Sequence, residues 1–350
     1  MTAFEHAVAG LSPLDDEAAA EAAALHDRLV KPRAALGRLE TVGIGLAAIA
    51  GACPPPVPEP AVVAVFAGDH GVLAEGVTPW PQEVTAQMVA AFCAGGAAVN
   101  VLARHSGAEV VVVDVGVAGD LVPAPGLLLR KVRYGTANLA SSPAMTLDEA
   151  ARALDVGADV AAAAVAGGAR CLVTGDMGIG NTTASAALIA ALTGRPATEV
   201  TGRGTGIDDI TYLRKILVVE SAVCRAADNG PLDVLALLGG LEIAALAGFI
   251  VGGAAARVPV VVDGVVAVAG LLVAAALAPA CVGYCLAGHR STEPGATAAL
   301  EHLGMEPLLD LGMRLGEGTG ACLALPLVQA AAKVLREMDT LDSAGVTGKG

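Results

Sequence analysis

Aromatic residues make up only 2% of this 350-residue chain: four Phe, three Tyr and one Trp. A core built on large rings is thereby excluded. Ala, Val and Leu must fill it instead, and they suffice, because 55% of the residues are hydrophobic. Basic charge is also short: 21 Lys and Arg stand against 35 Asp and Glu, a formal net charge of −14. A nucleic-acid partner is excluded on that account, since binding a phosphate backbone needs a basic surface. The seven cysteines include no Cys-x-x-Cys pair and the six histidines no His-x-x-x-His pair. Neither a metal site nor a disulfide framework is therefore expected. The odd cysteine count in apolar surroundings reads as reduced core thiols of a cytoplasmic protein. Residues 1–6 lack the basic-then-apolar pattern of a secretory signal. One uncharged apolar run, 265–288, is long enough to cross a bilayer. Pro279 and Gly283 interrupt it, so it reads as a buried helix over 265–277 and a buried strand over 280–287, with no membrane association. The abundance of Ala and Gly is read as a compositional bias without functional meaning.

Apolar, β-branched runs alternate with helical periodicity along most of the chain. Residues 14–51 carry Leu25, Leu29, Leu36 and Leu39 at helical intervals and are divided by Pro32; prolines then cluster over 53–60 as a rigid linker. Strands are expected over 61–66, 109–115, 170–174 and 258–262, and helices over 81–102, 147–166, 182–193, 208–227 and 241–256. Such alternation predicts an α/β fold, Rossmann-like, with a mostly parallel sheet covered by helices on both faces. Ligands in such sheets bind beyond the carboxyl ends of the strands. The turns Gly68-Asp69-His70, Gly175-Asp176, Asp263-Gly264 and Gly288-His289-Arg290 all fall there, which points to one shared site. From about Leu308 helical periodicity returns with no strand after it, so this end is expected to pack with the N-terminal helices as a small second domain.

The segment Gly175-Asp176-Met177-Gly178-Ile179-Gly180-Asn181-Thr182-Thr183 joins an expected strand to an expected helix. Gly175, Gly178 and Gly180 let backbone N–H groups approach a ligand closely. The helix N-terminus adds partial positive charge, and Asn181 and Thr182 add side-chain donors. The pattern is neither the dinucleotide fingerprint nor an ATP-binding P-loop, so it reads as an anion cradle of another kind, for phosphate. Gly43–Ala48 does match a relaxed dinucleotide fingerprint, but it lies within a helical stretch with no strand before it. A second glycine turn, Gly202-Arg203-Gly204, precedes the helix starting near Asp208, and Lys215 lies two turns into that helix with a stem long enough to reach a phosphate. Ser291 belongs to a third turn, Ser291-Thr292-Glu293-Pro294-Gly295, which offers hydroxyls and backbone donors. Glu317, a lone carboxylate between Gly316 and Gly318, is the candidate general base, because partial desolvation would raise it toward neutrality.

These residues closely resemble one family. The likeness rests on Leu36-Gly37-Arg38-Leu39-Glu40, Gly68-Asp69-His70-Gly71-Val72, Glu75-Gly76-Val77-Thr78, Pro81-Gln82-Glu83-Val84-Thr85, the 175–183 loop, Gly202–Gly206, His289–Gly295 and Gly316–Gly320. The family is nicotinate-nucleotide–dimethylbenzimidazole phosphoribosyltransferase, which activates the lower ligand of cobalamin. The resemblance implies a homodimer with a large domain over 59–304 and a small helical domain from 1–58 with 305–350. It implies nicotinate mononucleotide and 5,6-dimethylbenzimidazole as substrates, and neither cofactor nor metal. Glu317 would be the base, with Asp176 beside it. The 175–183 and 202–206 turns, Lys215 and Ser291 would hold phosphate and ribose, and Thr78, Pro81, Gln87 and Met88 would line the base pocket. Asp176 departs from the longer Glu usual in the family, and 31–35 lacks the family's Pro-Gly-Ser. A related transferase acting on another aromatic base, and a catalytically silent nucleotide binder, are the alternative readings.

Overall fold

The computed structural model describes residues 1–347. Its apolar runs form six strands: β1 (Ala61–Gly68), β2 (Ala108–Gly116), β3 (Leu127–Leu129), β4 (Cys171–Met177), β5 (Val260–Val262) and β6 (Cys285–Ala287). All neighbours pair in parallel, in the order β3-β2-β1-β4-β5-β6. Side chains alternate across the sheet with the strand's period of two. Ala64 and Phe66 face a core formed with the helices Leu147–Ala166, Leu241–Ala255 and Val265–Leu277. Val63, Val65 and Ala67 face a second core formed with Arg38–Ala50, Ala98–Ser106 and Thr319–Glu337. The expected α/β architecture, a parallel sheet covered on both faces, is what the chain adopts.

The scarcity of aromatics has a structural counterpart at the helix crossings. A Cβ on Gly157 would lie 1.8 Å from the Ala245 carbonyl oxygen, and one on Gly248 would lie 1.9 Å from that of Leu154. Helices Leu147–Ala166 and Leu241–Ala255 thus meet backbone to backbone, and only glycine fits at those two positions. Small residues here are therefore a packing device and not a compositional accident.

Three local expectations change. The apolar run is a buried helix over Val265–Leu277 as anticipated, but Pro279–Tyr284 is a 3-10 turn and only Cys285–Ala287 is strand. Cys281 is accordingly a turn residue. The helix expected over 81–102 is two helices, Glu83–Cys93 and Ala98–Ser106, parted where Gly95 turns left-handed (φ +77°). Glu83–Ser106 is apolar and long enough in sum to cross a bilayer, but neither piece has the roughly 20 residues a spanning helix needs. All seven cysteines are free, but not all are core thiols: Cys53 and Cys93 are half-buried and Cys224 is exposed.

The strand order turns outward in opposite directions from β1 and β4. Such a switch point leaves a crevice beyond the strand ends, because the connections on either side run away from one another. The carboxyl ends of β1 and β4, at Gly68 and Met177, mark the floor of that crevice.

Candidate active site

A cavity of about 380 Å³ opens there. β4 continues past the expected 174 to Met177, which puts Asp176 on the strand itself before the chain turns through Gly178-Ile179-Gly180 into helix Asn181–Thr193. The turn can pass under β1 only without a side chain, since a Cβ on Gly178 would lie 2.2 Å from the Gly68 carbonyl oxygen. Gly178, Gly180, Asn181 and Thr182 all line the cavity.

Lys215 completes this end. It lies on helix Asp209–Arg225, whose N-terminus is capped by Asp208, and is only 2% exposed. Its Nζ donates to Thr182 Oγ1 at 2.7 Å. Burial lowers the ammonium to about 8, while the Glu293 carboxylate pulls the other way. Gly204 N–H donates to Glu293 Oε1 at 2.7 Å, and Arg314 Nη1 donates to the Gly204 carbonyl at 2.6 Å. Arg203 reaches the cavity edge, pairs with Asp209 and lies over the Tyr212 ring. Ser291 lines the cavity and accepts from Glu293 N–H at 3.3 Å.

Another part of the cavity is acidic. Glu317 is 6% exposed and sits at φ +64° between Gly316 (φ +83°) and Gly318 (φ +93°). A left-handed non-glycine residue costs about 1–2 kcal/mol, which the surrounding structure must supply. Strand β4 helps by pressing on the loop: a Cβ on Gly175 would lie 2.6 Å from the Glu317 carbonyl oxygen. Burial raises the Glu317 carboxyl to about 7, with Asp263 adding to the shift. Its Oε2 has no hydrogen-bond partner among the described residues. Asp176 faces Gly316 and accepts from Asn181 Nδ2 at 3.0 Å. Burial, then the carboxylates of Asp263, Glu242 and Glu317, hold the Asp176 carboxyl well above its usual range.

The cavity also has an apolar wall of Val77, Trp80, Val84 and Met88, with Thr78 its polar member. Gln87 and Pro81, expected in this wall, are exposed and do not line the cavity. Gln87 precedes Met88 by one helical step of about 100°, which turns it outward, and Pro81 stands before helix Glu83–Cys93 begins. Gly175 and Gly202 do not line it either. They are glycines because neighbouring groups occupy the place of a Cβ, the Glu293 carboxylate lying 2.0 Å from that point at Gly202. Asp69, His70, Asp263 and His289 are buried and do not line the cavity, and His70 Nε2 lies 2.6 Å from Glu242 Oε1 in a fully buried pair. Glu293 and Arg314 are the residues that sequence reasoning missed, while Trp80 lies within the 75–88 region expected to line the base pocket. Glu293 stood inside a turn already singled out for its hydroxyls; Arg314 carries no local signal.

A family model described as phosphoribosyltransferase matches residues 11–346. Nicotinate-nucleotide–dimethylbenzimidazole phosphoribosyltransferase of Salinispora tropica is 55% identical over 362 residues, covering 99% of this chain and 100% of that protein. The protein of that name from Chloroflexus aggregans is 54% identical, covering 100% of this chain and 99% of its own. The crystal structure so titled from Thermus thermophilus matches with a TM-score of 0.92 at 50% identity, over 96% of this chain and 100% of that one. A parallel sheet with its cavity at the switch point, and likeness over nearly the whole length, agree: the chain belongs to the nicotinate-nucleotide–dimethylbenzimidazole phosphoribosyltransferase family.

Proposed function

We propose that this protein transfers the 5-phosphoribosyl group of nicotinate mononucleotide to 5,6-dimethylbenzimidazole, giving α-ribazole 5′-phosphate and nicotinate for the lower ligand of cobalamin. One observation carries the reading: a desolvated carboxylate, an apolar wall and a buried lysine share a single cavity of about 380 Å³. Lys215 and the Gly178–Thr182 turn hold the phosphate. Glu293, as a carboxylate, repels phosphate but accepts well from ribose hydroxyls. The flat, mostly apolar benzimidazole lies against Val77, Trp80 and Met88. Glu317 takes the proton from one benzimidazole nitrogen while the other attacks the anomeric carbon from the face opposite nicotinate. As that bond forms, the glycosidic bond breaks, and its electron pair neutralises the cationic ring nitrogen of the departing nicotinate. Attack from the far face converts the β-glycoside into the α-product.

The same reading treats 1–58 and 305–350 as a small helical unit, of which 348–350 lie outside the described residues. The separate cluster of Ala18, Ala22, Ala47 and Leu335 supports it. A homodimer is part of the proposal, supported by the exposed Ile210, Leu213 and Leu217 on one helix face. So is a cytoplasmic location, supported by the seven free cysteines. The test is turnover of both substrates by the purified protein and by Glu317→Ala, with products separated by chromatography. Formation of α-ribazole phosphate by the unmodified protein alone is the expected result. Equal turnover by Glu317→Ala would remove Glu317 from the chemistry.

A further inference from the structure

We infer that Asp263, which does not reach the cavity, is a positioning residue for Glu317: it pins the Gly316–Gly318 loop from below and places a buried negative charge behind the base. The inference rests on the reading of Glu317 as base.

Asp263 follows β5 directly and is 0% exposed. Its own N–H donates to Thr174 Oγ1 at 3.0 Å, which fixes it to β4. Its Oδ2 accepts from Gly318 N–H at 3.0 Å and its Oδ1 from Ala321 N–H at 2.9 Å. Those donors belong to the opening of helix Thr319–Glu337, whose N-cap residue, Gly318, has no side chain to satisfy them. Asp263 therefore caps, from another strand, the helix that begins just after Glu317. His289 Nε2 stands 3.4 Å from Oδ1, and its ring packs so closely on Gly320 that a Cβ there would lie 2.0 Å from Cδ2. Two N–H donors, a helix N-terminus and an imidazole all favour the negative carboxylate at 263.

The consequence for Glu317 follows from its neighbours. Asp176 faces its loop from β4, Asp263 with His289 stands beneath it, and Lys215, Glu293 and Arg314 line the same cavity. Among the described residues Asp176 has Asn181 as its one hydrogen-bond donor, and burial, then the neighbouring carboxylates, push its carboxyl well above its usual range. Of the two aspartates beside the base, Asp263 alone has the partners of an anion. It does two things at once: it stabilises the left-handed turn that aims Glu317 at the cavity, and it opposes loss of the Glu317 proton.

The test compares Asp263→Asn with Asp176→Asn. The carboxyl titration of Glu317 is followed by NMR in protein labelled at glutamate carboxyls, its signal assigned by its loss in Glu317→Gln. The pH dependence of kcat is measured in parallel. Asp263→Asn is expected to lower the Glu317 midpoint by about one pH unit, with the acid limb of kcat moving equally, while Asp176→Asn leaves the midpoint in place. Where Asp263→Asn does not fold, Asp263→Ser, which keeps one acceptor without charge, gives the same comparison. An unmoved midpoint in the Asp263 variants, or an equal shift in Asp176→Asn, overturns the inference. Undiminished turnover by Glu317→Gln would instead overturn the base assignment, while the NMR titration still decides the part played by Asp263.

Discussion

The two ends of the cavity carry opposite charges, and burial drives both toward neutrality, yet their neighbours differ. At the basic end the Glu293 carboxylate opposes the effect of burial on Lys215, whose ammonium remains mostly charged at neutral pH, having come down only to about 8. At the acidic end the Asp263 carboxylate reinforces it, and Glu317 rises to about 7. One end thus keeps a charge to hold a phosphate. The other is poised between proton states, as a general base needs to be. Burial alone does not assign these roles; a carboxylate neighbour opposes burial at the lysine and reinforces it at the glutamate.

The largest effect is expected where the poise is lost. Glu317→Gln should lower kcat by about 10²–10⁴-fold while nicotinate mononucleotide still binds, as steady-state kinetics with calorimetric binding would show. A comparable loss of binding would mean that the ends do not act separately. Next, Lys215→Ala should raise KM for the mononucleotide by about 10–100-fold, the cost of a charge-assisted contact of roughly 1.5–3 kcal/mol, with kcat little changed. For the unmodified protein the same KM should climb as pH passes about 8 and Lys215 loses its proton, whereas kcat should fall as pH drops below about 7 and Glu317 gains one.

The smallest effect concerns stability. The folded Glu317 carboxyl titrates near 7, above its ordinary 4.5, so between those values the native state holds a proton that the unfolded chain has released. Stability therefore declines as pH rises through that window and stays lower above it. Glu317→Gln should be more stable than the unmodified protein by on the order of 1–3 kcal/mol at pH 8, with the gain gone at pH 4, in urea denaturation. A gain independent of pH would point to packing and not to charge.

Most of the basic end was legible in the sequence because its signals are local. The Gly178–Thr182 turn lies between a Val-containing strand and an Ala-rich helix, and Gly202 to Gly204 opens the next helix. Lys215 was less legible: its spacing suits a solvated helix surface as well as a site, and only packing against Thr182 and Gly204 made it a buried group. Gln87 was misassigned because a resemblance identifies a helix while about 100° per residue decides which neighbour faces the cavity. The break at Gly95 within 81–102 and the 3-10 turn at 279–284 were missed because uniform apolar composition conceals local changes of backbone.

By itself the sequence determined the parallel α/β architecture, the glycine turns at its strand ends and Glu317 as the candidate base, since period, turn chemistry and flanking glycines act over a few residues. Tertiary structure alone decided the strand order that opens the crevice between β1 and β4. It also decided which carboxyls are buried beside one another there. Desolvation and Coulomb interaction depend on distance through the fold, and Asp176, Asp263 and Glu317 become neighbours only when β4, β5 and the helix Thr319–Glu337 meet.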